Sequence, residues 1–131
     1  MTKDNDFLMQ SNMVRGTILF AHGSRDPLWR QPIEAVATQI RQIAPAVHVR
    51  CAYLEIMEPA LPDCATELVT LGVTSITVVP LFLGVGKHAR EDLPLLMAAL
   101  QTRHQQIAFK LRPAIGEEAQ MIELMARIAL S

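Results

Sequence analysis

The sequence predicts an α/β domain built on a four-stranded parallel sheet with helices on both faces. Three observations carry that expectation. Four short apolar, β-branched runs alternate with four stretches in which apolar residues recur at helical spacing. The run "SITVVPLFL" at 75–83 is apolar almost throughout instead of alternating, as a strand is when helices cover it from both sides. Pro59 precedes and Gly72 follows the second helical stretch, the punctuation that opens and closes a helix. Strand, helix, strand in succession implies right-handed crossovers and a doubly wound sheet.

The elements follow in order. Residues 1–16 are expected to form a disordered polar tail, with Met13 as an alternative start, and the domain is expected to occupy 17–131. The first strand is predicted over 17–21. A helix over 28–44 places Ile33, Val36, Ala37, Ile40 and Ile43 at helical spacing, and a strand over 47–54 follows. The second helix covers 60–71 and the most apolar strand 75–83. A third helix is predicted over 90–103, where Pro94 is tolerable only in the first turn. A strand over 107–111 and a turn over 112–116 lead to an amphipathic closing helix over 117–130, carrying Met121, Ile122, Leu124, Met125 and Ile128.

Composition narrows the function. The 131 residues are half apolar, enough for one compact domain with a real core. Twelve basic against thirteen acidic residues give a net charge of −1, which speaks against a nucleic-acid partner and leaves any bound anion to a few placed groups. No run approaches the ~18 apolar residues of a membrane span and no signal peptide opens the chain, so a cytoplasmic protein is expected. Cys51 and Cys64, the two cysteines, are not in a C-x-x-C arrangement and read as reduced core thiols.

In doubly wound sheets ligands bind beyond the carboxyl ends of the strands, near the point where strand order reverses. Three groups able to hold a metal fall at such ends: His22 after "TILFA", Glu55 after "VRCAYL" and His88 within "GVGKHARED". Parallel strands lie ~4.8 Å apart, so groups remote in sequence can meet on one ion there. Two imidazoles and a carboxylate suit cobalt, nickel, iron or zinc and leave coordination positions open. Gly23, Gly84 and Gly86 flank the histidines, where glycine permits positive φ or close approach of a bulky ligand. Arg25, Lys87 and Arg90 surround the same mouth and suit a substrate with several carboxylates. Asp26 and Asp92 are read as helix caps, and His48 and His104 as structural residues.

The ordered set "AHGSRD", "YLEIMEP", "VVPLFLGVGKHAREDLP" and "RPAIG" resembles the small sirohydrochlorin cobaltochelatases, the CbiX and SirB group of class II tetrapyrrole chelatases, across nearly the whole domain. The resemblance implies a single flavodoxin-like, chelatase-type half-domain that commonly pairs into a homodimer. It also implies ATP-independent insertion of a divalent metal, cobalt foremost and iron or nickel as alternatives, into sirohydrochlorin or a related tetrapyrrole. No permanent cofactor is implied; the ion is a substrate. The family's metal-binding histidines fall on His22 and His88, and the acidic residue that assists in some members falls on Glu55. These three are the expected catalytic and metal-binding groups. Substrate would be met by Arg25, Lys87 and Arg90 and by the turn residues Gly23, Ser24, Gly84 and Gly86. The chain departs from many relatives in two places: Gly86-Lys87 stands where two glycines precede the second histidine, and Glu117-Glu118 follows Gly116 where a histidine is common.

Metallation requires two pyrrole protons to leave while the ion sheds water, and a neutral imidazole serves by binding the ion or by accepting a proton. The sequence leaves open which histidine takes which role. A non-catalytic metal- or tetrapyrrole-binding protein is the alternative reading. A hydrolase, suggested by His22-Gly23-Ser24, lacks the G-x-S-x-G elbow.

Overall fold

The computed structural model describes residues 13–131, so most of the expected tail lies outside the described residues. Strand β1 runs Arg15–Ala21 and begins before the expected boundary at 17. The ladder extends that far because Val14 is tied to Thr74: the Val14 amide donates to Thr74 Oγ1 at 3.0 Å and the Thr74 amide to the Val14 carbonyl at 2.8 Å. Strands β2 (His48–Tyr53), β3 (Ser75–Pro80) and β4 (Ala108–Leu111) complete an all-parallel sheet in the order β2-β1-β3-β4. From β1 the chain builds outward to β2, then crosses back and continues on the other side with β3. The switch point therefore lies between β1 and β3.

Helices cover both faces, as expected. On one face α2 (Leu61–Thr70) and α3 (Lys87–Arg103) bury Leu61, Cys64, Leu68, Leu93 and Leu100 against Ile18, Phe20, Ile76 and Val78. On the other, α1 (Gln31–Ile43) presents Ile33, Ala37 and Ile40, spaced at i, i+4 and i+7, to Leu19 and Val49. Val36 and Ile43, read with that stripe, are 42% and 78% exposed instead. Helix α4 (Ala119–Leu130) borders a cavity of about 350 Å³ shared with Val79, on the α1 side, and leaves Ile122 and Ile128 more than half exposed. Cys64 packs in the first core and Cys51 against the second, so the sheet separates two free thiols.

The expected first helix divides in two. Pro27–Arg30 forms a 3-10 turn whose first amides are capped by Asp26, with Oδ1 accepting from the Leu28 amide at 2.9 Å. Pro32 has no N–H for the Leu28 carbonyl, which the Gln31 amide takes with the tighter geometry. Helix α3 starts at Lys87, not at 90, which corrects two readings: Asp92 lies inside the helix and caps nothing, and Pro94 is well past the first turn. The helix survives the missing bond because burial of Leu93 and Leu100 on either side of the proline holds it to the sheet. Strand β3 ends at Pro80, short of 83. The Leu81 amide still donates to the Phe20 carbonyl at 2.7 Å, but the Phe82 carbonyl accepts from Gly116 at 2.9 Å, outside the ladder. Among the described residues no helix is long and apolar enough to cross a membrane.

Candidate functional site

The carboxyl ends of β1, β2 and β3 open on the same side of the sheet; the loops after β1 and β2 carry His22 and Glu55, and the loop after β3 leads into the helix that carries His88. Backbone pairing between β1 and β2 continues past the strands, with the Leu54 amide on the Ala21 carbonyl at 2.8 Å and the Glu55 amide on the His22 carbonyl at 3.0 Å. His22 and Glu55 are therefore held side by side. Ahead of them the chain turns at Gly23, whose φ is +113° and whose α-carbon faces the Glu55 carbonyl oxygen so closely that a Cβ would collide with it. Only glycine meets both demands.

The loop after Glu55 is itself strained. The Met57 amide donates to the Glu55 carbonyl at 2.7 Å and Ile56 between them has φ 71°, a positive-φ γ-turn on a β-branched residue. Such geometry persists only where the surroundings over-determine it, and it clusters at ligand sites. Sequence offered no signal for it, because β-branching argues against this conformation.

His22 stacks on Phe82, with ring centroids 4.2 Å apart and planes at 27°. Phe82 is buried against the core, with Phe20 at 6.1 Å, so the imidazole rests on a fixed platform at the switch point. Sequence reading counted Phe82 as strand; the signal available was an aromatic placed just after Pro80, where the ladder has to end. The Phe82 loop is secured in turn by Gly116, where a Cβ would collide with the Leu83 carbonyl, and by the Gly116 amide. Arg112 and Glu118 close that turn with a 2.7 Å ion pair.

His88 lies in the first turn of α3, not in the loop before it, and is exposed. Among the described residues no three His, Cys, Asp or Glu side chains are gathered closely enough to hold an ion. His22, Glu55 and His88 thus share the mouth of the sheet without forming a preassembled three-ligand cage. Ser24 serves the local structure, since its Oγ accepts the Asp26 amide at 3.1 Å and shapes the β1–α1 turn. Gly84 and Gly86 do not use positive φ, which only Gly23 and Gly72 do among the described glycines, and a Cβ on either would meet nothing within 4 Å. Their surroundings are open space. Arg25, Lys87 and Arg90 are exposed and make no ion pair among the described residues; Arg90 borders a cavity of about 350 Å³ beside Val85 and Pro113. Exposed Leu54, Ile56, Leu83 and Leu95 add an apolar component to this end of the molecule.

The two remaining histidines sit at the opposite end. His48 opens β2 and pairs in register with Gly16. His104 follows the last turn of α3, its amide on the Leu100 carbonyl and its ring 6.2 Å from Phe109. Burial above all raises the thiol pKa of both cysteines, Cys64 to about 11, which favours the neutral thiol.

Among solved structures, the putative cobalamin biosynthesis CbiX protein from Marinobacter aquaeolei VT8 superposes with a TM-score of 0.75 at 32% identity, covering 88% of this chain and 91% of that one. The sirohydrochlorin chelatase SirB from Bacillus subtilis subspecies spizizenii, in complex with cobalt, superposes with a TM-score of 0.74 at 26% identity. That match covers 89% of this chain and only 50% of the other. The sirohydrochlorin cobaltochelatase of Methanopyrus kandleri is 32% identical over 80 residues, 61% of this chain and 56% of the relative. That of Sulfolobus acidocaldarius is 33% identical over 79 residues, 60% of this chain and 63% of the relative, so each match spans less than two thirds of the relative's length. The CbiX family model matches residues 16–129, and the chain belongs to the CbiX family.

Proposed function

We propose that this chain inserts a divalent metal, cobalt foremost, into sirohydrochlorin or a related tetrapyrrole without ATP. The observation that supports the reading is that His22 follows β1 directly and stacks on Phe82, with His88 in the first turn of the helix after β3 on the same side of the sheet. The relatives named for this activity, and SirB with cobalt bound, support the choice of reaction and metal.

In this reading the metal is a substrate that arrives hydrated and leaves in the macrocycle. A site that must release its ion is better served by two imidazoles at an open mouth than by a closed cage. One imidazole binds the ion while its waters are shed, and the other accepts the two pyrrole protons in turn, releasing the first before it takes the second. Glu55, locked beside His22 through the backbone, adds a ligand or passes the proton outward. The open space over Gly84 and Gly86 admits the flat macrocycle, while Gly23 and Ser24 hold the loop beside it. Arg25, Lys87 and Arg90 meet its peripheral carboxylates.

A second copy of the chain completes the cleft. The SirB match covers half of a chain about twice as long, and the apolar residues Leu54, Ile56, Leu83 and Leu95 offer a surface for pairing. The test is to mix pure protein with sirohydrochlorin and cobalt(II) and to follow absorption against a protein-free control. More than one turnover per subunit is expected; a stoichiometric change that stops there would replace the enzyme with a carrier.

A further inference from the structure

The outer edge of β2 carries a feature that metal insertion does not use. A cavity of about 370 Å³ lies between that strand and α1, walled by Arg30, Glu34, Arg41, Arg50, Cys51 and Tyr53. Three guanidinium groups face one carboxylate. Tyr53 is 2% exposed, yet its hydroxyl has no hydrogen-bond partner among the described residues, and the buried Nε of Arg30 has none either. The Arg30 guanidinium lies over the Tyr53 ring, 5.5 Å from its centroid. Two donors from different elements thus stand buried and unpaired at one cavity, a state that native structures keep rare and commonly satisfy with water or an ion.

Ion pairing within the protein does not cancel the positive charge. Arg50 is committed, with Nε on Glu67 at 2.8 Å and a second nitrogen on the Val49 carbonyl at 2.9 Å. Arg41 gives one nitrogen to the same carbonyl at 3.3 Å and keeps its other donors. Arg30 and Glu34 are 3.9 Å apart, too far for a hydrogen bond, and the Glu34 side chain is 55% exposed and able to turn to solvent. Burial, the largest influence, raises the Tyr53 pKa above 10.0, so the hydroxyl remains a neutral donor. The Cys51 thiol, raised mainly by burial as well, adds no negative charge.

We propose that this cavity binds a small tetrahedral oxyanion, inorganic phosphate or the phosphate group of a small ester, through the Tyr53 hydroxyl and the guanidinium groups of Arg30 and Arg41. The donors belong to a strand, a 3-10 turn and a helix that wall one cavity, and two guanidinium forks with a hydroxyl match the three acceptor oxygens of a phosphate group better than the two of a carboxylate. The cavity opens at the edge strand, and β1 stands between β2 and β3. It is also next to the mouth in register, since Tyr53 pairs with Ala21, the residue before His22.

The test is calorimetric titration of inorganic phosphate into the chain at constant ionic strength in chloride, with neither metal nor tetrapyrrole present. Its outcome is therefore independent of chelatase activity. Saturable binding at one site per chain is expected. Tyr53→Phe, which keeps the ring packing, should weaken it about tenfold, in line with loss of one hydrogen bond to a charged group. Arg41→Gln should weaken it at least as much, while Arg112→Gln, on the far ion pair, should leave it unchanged. Wild-type protein that shows no saturable binding would overturn the proposal, as would Tyr53→Phe binding phosphate like wild type. Acetate binding more tightly than phosphate would reassign the cavity to a carboxylate and overturn it too.

Discussion

The imidazole of His22 lies flat against the ring of Phe82, centroids 4.2 Å apart, and that contact links the end of β1 to the loop after β3 across the switch point. A histidine on an exposed turn would otherwise sample several rotamers. Phe82→Leu keeps the site apolar and removes the flat support, so it should cost less than about 1.5 kcal/mol of stability. Metal insertion should fall roughly tenfold or more, through kcat more than KM, because a misplaced catalytic group loses orientation before it loses affinity. Steady-state rates beside a denaturant melt check both. Unchanged kcat would remove Phe82 from the site.

Gly23→Ala should be among the most damaging small substitutions in the chain. It places a Cβ both at φ +113° and against the Glu55 carbonyl. The strain and collision together should cost about 2–4 kcal/mol, or roughly 10 °C in melting temperature. Gly84→Ala, with nothing within 4 Å, should melt close to wild type. A thermal scan of the two variants separates the glycine that shapes the loop from the one that leaves room beside it.

How far the sequence reached depends on the kind of interaction involved. The order of strands and helices was legible because periodicity and the proline and glycine punctuation are local, and so was the position of His22 and Glu55 just past β1 and β2, whereas His88 lies in the first turn of α3. Tertiary packing was not. Pro94 sits deep in α3 because buried Leu93 and Leu100 anchor the helix around it, and Val36 and Ile43 are exposed although they have helical spacing. The three-ligand cage did not form, since strand ends set the backbone positions and not the reach of each side chain. Phe82 and Ile56 escaped notice because their roles exist only in contact with residues far away in sequence.

Neutralising Arg25, Lys87 or Arg90 should raise KM several-fold with little change in kcat. Their partners would be peripheral carboxylates that do not react, so these cations contribute alike in the ground and transition states. The effect should shrink as salt is added. Rates across a series of chloride concentrations provide the check; Arg90→Ala lowering kcat at unchanged KM would place that residue among the reacting groups.

Stability should fall at high pH through Cys64. Its thiol pKa is raised by burial first and by Glu67 next, from 9.0 to about 11, so below pH 9 the folded and unfolded chains hold the same proton. Between pH 9 and about 11 the folded chain retains it while the unfolded chain loses it, and unfolding becomes easier as pH rises. Cys64→Ala should flatten that slope, and denaturant melts from pH 8 to pH 11 measure it. A slope unchanged by the substitution would assign it to other groups.

His22 and His88, and not the other histidines, are expected to perform the metal insertion. They stand at the carboxyl side of the sheet, whereas His48 begins β2 and His104 follows α3 at the other end. The measurement is the initial rate of cobalt(II) insertion into sirohydrochlorin for the four single alanine variants, each verified as folded by circular dichroism. His22→Ala and His88→Ala should each lose on the order of 100-fold or more. His48→Ala and His104→Ala should retain most of the wild-type rate. Folded His22→Ala and His88→Ala proteins that turned over like wild type would contradict the account.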